Sequence, residues 1–192
     1  MGVKCLIYDN EQLVFSVEQE FFNEKTNEFV DIPATLIKME HSLYTISKWE
    51  SKHHKSFFSK REKTTEEVVD YMRIMIIEPE NIDLNIFSYI INDKEFFSKV
   101  SDYINDSMTA TYFREGQNVR SSEVVTSELL YYQMFSFQIP YDLHHWHINR
   151  LVALIKVFNI KNTPPKKRSM MSIMKEYDAL NEARKKQLGT KG

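Results

Sequence analysis

The sequence predicts an α+β fold that is mainly α: a small N-terminal β hairpin or strand element, followed by a helical body that ends in a helical hairpin and a basic C-terminal helix. Three observations predict it. Two short β-prone segments, VKCLIY and QLVFSV, stand at the start and are separated only by Asp9-Asn10-Glu11. From Glu40 onward the apolar residues recur at intervals of three and four, the spacing of one helix face. Glycine is scarce, 4 in 192 residues, which argues against an elaborate sheet with many tight turns and against glycine-rich phosphate loops.

Each element has its own warrant. ATLIKM, after Pro33, is a third strand candidate. Leu43, Ile46 and Trp49 then start the helical spacing, followed by a polar SKHHK. Thr64-Thr65-Glu66-Glu67 offers an N-cap with acidic residues in the first turn. Val68, Val69, Met72, Met75 and Ile76 form the stripe of that helix, which should stop near Glu78 because Pro79 disfavours helix at the residue before it. LNIFSYI and EFFSKVSDYIN read as two short helices. The polar SMTATYFREGQNVRSS, with Gly116, reads as an internal joint. Ser122-Glu123 then opens a helix carrying Val125, Leu129, Tyr132 and Phe135 or Ser136 up to Pro140. A second helix is predicted from about Tyr141 to Ile160, broken by Asn162-Thr163-Pro164-Pro165. Ser169 can cap a last helix, closed by Gly189. The expected organisation is 1–39 as the β-rich element, 40–162 as the helical body and 163–192 as the basic C-terminal helix.

Hydrophobic residues at 42% and charged ones at 27% are ordinary for a globular chain, while 13 Phe and 10 Tyr supply ample core and contact material. The single cysteine, Cys5, rules out an internal disulfide framework and points to a reducing compartment. MGVKCLIYDNEQ has no apolar run of signal-peptide or membrane-span length, and Leu6 stands where a myristoylation motif needs Ser or Thr. Residues 162–192 carry eight basic and three acidic side chains, a net +5 against −7 for the rest. A basic tail can bind nucleic acid. This one has a single Tyr and no aromatics interleaved with its charges, which favours docking on protein or plain solvation.

The segment IPYDLHHWHINRL, Ile139–Leu151, holds three of the six histidines. On a continuous helix of about 100° per residue, His144 and His147 fall in the apolar arc with Leu143, Trp146, Leu151 and Leu154, while His145 joins Asn149 and Lys156 on the polar side. Arg150 lies beside the arc and is expected to pair with a buried acceptor. The i, i+3 pair of histidines lacks the further donors that zinc needs, and HExxH is absent. His53 and His54 sit between lysines that would repel a cation, so a solvated surface is expected for both. GxSxG, P-loop and GxGxxG patterns are missing, and Cys5 has no neighbouring histidine. The expectation is therefore no catalytic residue, no metal and no cofactor. YMRIMII reads as core, whereas SMMSIM, with Met170 and Met171, suits a docking surface as well as a core.

Four strings carry a family resemblance: MEHSLYTISKWESKHHKSF (Met39–Phe57), YINDSMTAT (Tyr103–Thr111), TSELLYYQMFSFQIPYDLHHWHINRLVALIKVFNIKNTPPKK (Thr126–Lys167) and LNEARKKQLGTKG (Leu180–Gly192). In order and spacing over roughly residues 36–192 the chain resembles the tail assembly chaperones of long-tailed phages that infect Gram-positive bacteria. The third string is the most specific. Ser107 departs from an expected Pro and Phe158 from a frequent Cys, and the first 35 residues match nothing in the family. The resemblance implies a non-enzymatic protein of the host cytoplasm that binds the phage tape measure protein, keeps it soluble, helps recruit tail tube protein and is absent from the mature virion. Self-association fits it too; a membrane partner does not. The alternatives are a neck or tail component retained in the virion, and a nucleic-acid-binding protein using the basic tail. Trp49, Tyr132, Trp146, His147, Asn149, Arg150, Lys166, Lys167, Arg168, Met170 and Met171 are the residues expected to bind protein or to be structurally central.

Overall fold

Strand β1 (Gly2–Asp9) and strand β2 (Gln12–Asn23) form an antiparallel hairpin closed by the Asp9↔Gln12 pair, with Glu11 at φ 75°, the positive φ that tight hairpin turns use. The computed structural model describes residues 2–9, 11–23, 28–113, 124–163 and 170–189. Strand β3 (Glu28–Met39) pairs antiparallel with β2. It begins six residues before the expected ATLIKM. Pro33 has no N–H for a ladder and would end a regular strand, but here the register shifts so that the pairing passes from Ile32 to Thr35 and skips it.

Leu13, Phe15 and Val17 alternate along β2 and are almost wholly buried, as are Ile37 and Met39 on β3. Leu13 pairs with Met39 and Phe15 with Ile37, so one sheet face forms an apolar floor. Helix α1 (Leu43–His53) starts at Ser42 in a capping box with Thr45 and buries Leu43, Ile46 and Trp49. Helix α2 (Thr65–Met75) starts at the anticipated cap, with reciprocal bonds between Thr64 and Glu67, and buries Tyr71, Met72 and Met75. The core reading of YMRIMII holds. That helix ends three residues earlier than the proline argument placed it. Ile76–Glu78 is strand β4, pairing Ile76 with Met39 and Glu78 with Lys38, so sheet order is β1-β2-β3-β4. A free sheet edge took residues whose local spacing was helical.

Helices α3 (Leu84–Ile91) and α4 (Lys94–Asn105) match the two short helices predicted, capped by Asp83 and Asp93. Phe96, Val100 and Tyr103 are the buried stripe of α4, and Phe96 packs on Phe15 at 4.6 Å. Helix α5 (Ser127–Ser136) is capped by Thr126. Its predicted start at Ser122-Glu123 lies outside the described residues, as does Gly116, and Val124 and Val125 precede the helix. The buried side of α5 is Ser127, Leu130 and Met134, while Tyr132 and Phe135 face outward.

The second helix of the pair is not continuous. Tyr141–His145 is a 3-10 turn, Trp146 is extended, His147 bridges to Ser42, and helix α6 runs Ile148–Asn162. The break has a tertiary cause: Ile148 N–H donates to the His41 carbonyl at 2.8 Å, outside any helical pattern. Strands β2, β3 and β4, helices α1 to α5 and the first part of α6 contribute to one core, within a compact unit of residues 1–158. A second unit, residues 159–192, contains helix α7 (Met170–Leu188) and Gly189 at φ 62°, a left-handed helix end. The Ser169 cap lies outside the described residues. Among those residues no helix is long and apolar enough to cross a membrane.

Candidate functional site

The switch from sheet to helix at Glu40-His41-Ser42 carries the buried polar groups around which the HHWH string is fastened. His41 and the Tyr71 hydroxyl share a 2.6 Å hydrogen bond, and the His41 N–H donates to the Tyr103 hydroxyl at 3.1 Å. Tyr103 in turn donates to the Glu11 carbonyl at 2.7 Å. The His147 ring lies edge-on to both His41 and Tyr103, with centroids 5.1 and 5.0 Å away. Its Nε2–H donates to the Tyr103 carbonyl at 2.9 Å and its Nδ1 accepts from the Asn149 N–H at 3.3 Å, which is the pattern of a neutral imidazole. Burial holds the His147 pKa below its ordinary value, and burial followed by repulsion from His147 lowers His41 to about 3. Both rings are neutral structural posts at neutral pH.

Glu40 extends this cluster. Its carboxylate accepts from Gln12 at 2.8 Å and Ser42 at 3.3 Å, and lies 2.9 Å from His145 Nδ1. His145 is therefore exposed and tied down at once. Glu11 accepts the His147 N–H at 3.1 Å and forms an ion pair with Arg150, whose guanidinium stacks 3.9 Å from the Trp146 ring centre. The sequence predicts a buried acceptor for Arg150; its partner is a half-buried carboxylate on the hairpin turn. Asn149 donates from Nδ2 to the carbonyls of Asp106, at 2.7 Å, and Ile104, at 3.2 Å. Among the described residues no three His, Cys, Asp or Glu side chains converge as a metal site requires.

What this scaffold presents to solvent is aromatic. The 3-10 turn places Tyr141 against α5, stacked on Phe135 at 6.3 Å and on Tyr131 at 6.2 Å. Tyr132 lies one turn from Phe135 on the same helix. Tyr132, Phe135 and Tyr141 are 68%, 61% and 54% exposed, although ordered stacking fixes two of the rings. Buried His144 backs the cluster, with its ring 4.2 Å from Tyr141.

A buried carboxylate positions α5. Glu50, 6% exposed, accepts the Phe57 N–H through Oε1 and the Ser127 N–H through Oε2, each at 2.7 Å. The second bond neutralises a free donor in the first turn of α5 and ties that helix to α1. Glu50→Ala leaves one buried and one part-buried N–H group without acceptors and is expected to cost about 2–4 kcal/mol. Urea denaturation checks this; Glu50→Gln, which keeps one acceptor, should cost about half as much.

The residues expected to be central therefore separate. His147, Asn149, Arg150 and the half-buried Trp146 belong to one network, and Trp49 stands in the core beside it. Tyr132 is on the aromatic surface. Met170 and Met171 are exposed on α7, in the second unit. Lys166, Lys167 and Arg168 lie outside the described residues. His53 is not the bare surface group its lysine neighbours suggested: it packs 4.6 Å from Trp49 and 2.8 Å from Asp70. Sequence reasoning missed Glu11, Glu40, His41, Glu50, Tyr103 and Tyr141. The one available signal was the run Glu40-His41-Ser42, three polar residues between an apolar strand and an apolar helix. No protein-family model matches the chain, and neither a curated protein nor a solved structure shows significant similarity to it.

Proposed function

We propose that the protein is a tail assembly chaperone of a long-tailed phage: it binds the tape measure protein in the host cytoplasm, keeps it soluble and helps recruit tail tube subunits. The observation that supports this reading is the exposed aromatic surface of Tyr132, Phe135 and Tyr141. It lies inside Thr126–Lys167, the string with the most specific resemblance to that family. A surface of Tyr and Phe held on a rigid frame suits apolar faces of partner helices, because little rotamer freedom is lost on binding.

Co-expression with the tape measure protein of the same phage tests the proposal. The tape measure protein should become soluble and co-purify. A Tyr132→Ser/Phe135→Ser variant should lose at least tenfold in affinity, roughly the effect of removing an interface hot spot, at an unchanged urea midpoint. A tape measure protein that stays insoluble, with no complex recovered, overturns it. Stoichiometric copies in purified virions would instead favour a retained neck or tail component.

A further inference from the structure

Helix α7 is 19 residues long, and every described side chain on it is exposed. In proteins most of a helix's stability comes from packing an amphipathic face rather than from intrinsic propensity. Such a face exists. Met170, Met174, Tyr177, Leu180 and Leu188 fall within an arc of about 120° at helical spacing, the width of a core-facing stripe. They are 47–78% exposed. Among the described residues the stripe is an exposed apolar face.

Charge identifies the occupant. Residues 159–192 carry nine basic and three acidic side chains, a net +6, while residues 1–158 carry 16 basic and 24 acidic, a net −8. Two copies therefore attract one another when the C-terminal unit of one meets the first unit of another. The first unit also offers a matching apolar surface, the rings of Tyr132, Phe135 and Tyr141, with exposed Glu128 and Asp142 at its margin. Arg184 lies within the α7 arc and Lys185 at its edge, on the complementary side of this pairing. Methionine thioethers against aromatic rings are a favourable contact that tolerates imperfect shape.

We infer that the α7 stripe of one copy docks on the aromatic surface of a second copy. Stripe and surface are different patches, so the contact is head-to-tail: each copy donates one and receives the other. The inference stands independently of the chaperone reading. Where both hold, a client helix and a neighbour's α7 compete for the same rings.

Sedimentation velocity over a wide concentration range tests it with the full chain and two variants. A stripe variant carries Met174→Glu and Tyr177→Glu; a surface variant carries Tyr132→Ser and Phe135→Ser. All four positions are exposed, so both variants should fold, with circular dichroism as the check. The wild type should gain mass with concentration, and less so at high salt. Each variant alone should associate at least tenfold more weakly. Their equimolar mixture should form a 1:1 dimer and nothing larger, because one partner supplies only the stripe and the other only the surface. A wild type that stays monomeric throughout overturns the inference and indicates docking within one chain or none. So does association lost in only one variant, as stripe-to-stripe pairing would give, or a mixture that stays monomeric. Cross-linking an isotope-mixed wild type gives a readout that needs no variant. Mixed-label links from Lys175 or Lys185 to Lys48, whose Nζ lies over the Tyr44 ring next to His144, are expected; their absence counts against the contact.

Discussion

Acidification from about pH 7 to 4.5 is expected to cost the fold about 2–3 kcal/mol through His41 alone. The folded protein holds this ring near 3 against an ordinary 6.5, because burial and the neighbouring His147 both disfavour the cation. The unfolded chain therefore binds a proton that the folded chain refuses between those values. Stability conferred by the neutral ring is complete above pH 6.5, falls steadily below it and levels off only near pH 3. His147, also lowered by burial, adds to the loss in the same direction. The depressed carboxyls of Asp70 and Glu128 act in a lower window, since their contribution is retained down to their ordinary values of 3.8 and 4.5. The interval from 6.5 to 4.5 thus reports the histidines. Urea midpoints across that interval should fall steeply in the wild type and less steeply in His41→Asn, which keeps a polar atom near the Nδ1 position but takes no proton. Equal slopes in the two proteins would remove His41 from the account.

Trp49→Ala should cost about 3–5 kcal/mol, the range for emptying a large aromatic site in a core. The side chain is 1% exposed and is enclosed by His53 and by the edge-on ring of Phe57, 5.3 Å away. Its Nε1–H also donates to the Glu67 carbonyl at 3.0 Å, joining α1 to the first turn of α2. Trp49→Phe separates the two contributions, since it fills most of the space and loses the donor; about 1–2 kcal/mol should remain missing. Equilibrium unfolding with both variants checks this, and a loss below 1 kcal/mol for the alanine variant would mean that the site collapses around the cavity.

Legibility differed with the range of the cause. The capping box at Thr64–Glu67, the Asp-capped short helices and the stripe Phe96-Val100-Tyr103 could be read in advance because each depends on residues within one or two turns. The same is true of the burial of His144 and His147 and the exposure of His145, although the helical wheel that suggested it does not exist through Trp146. Polar His145 leans on Glu40 and the flanking histidines are enclosed by aromatic rings, so the sorting by environment survived a wrong backbone. The outward side of α5 was misjudged for a related reason. Leu129, Tyr132 and Phe135 look like a stripe, but Leu130 and Met134 meet the core, and nothing local distinguishes two apolar faces of one helix.

The sequence by itself determined the fold class, the order of the first three strands and the helices, most helix starts and the charge contrast between the body and its C-terminal segment, all of which follow from side-chain type and spacing. Tertiary structure alone decided that Ile76–Glu78 would be a strand, that Trp146 would interrupt a helix, and that Glu11, Glu40 and Glu50 would become internal anchors. In each case a backbone or carboxylate group found its partner far along the chain, as with the 77 positions between Glu50 and Ser127. Leaving such a group unpaired inside the protein costs more than local helical preference can supply.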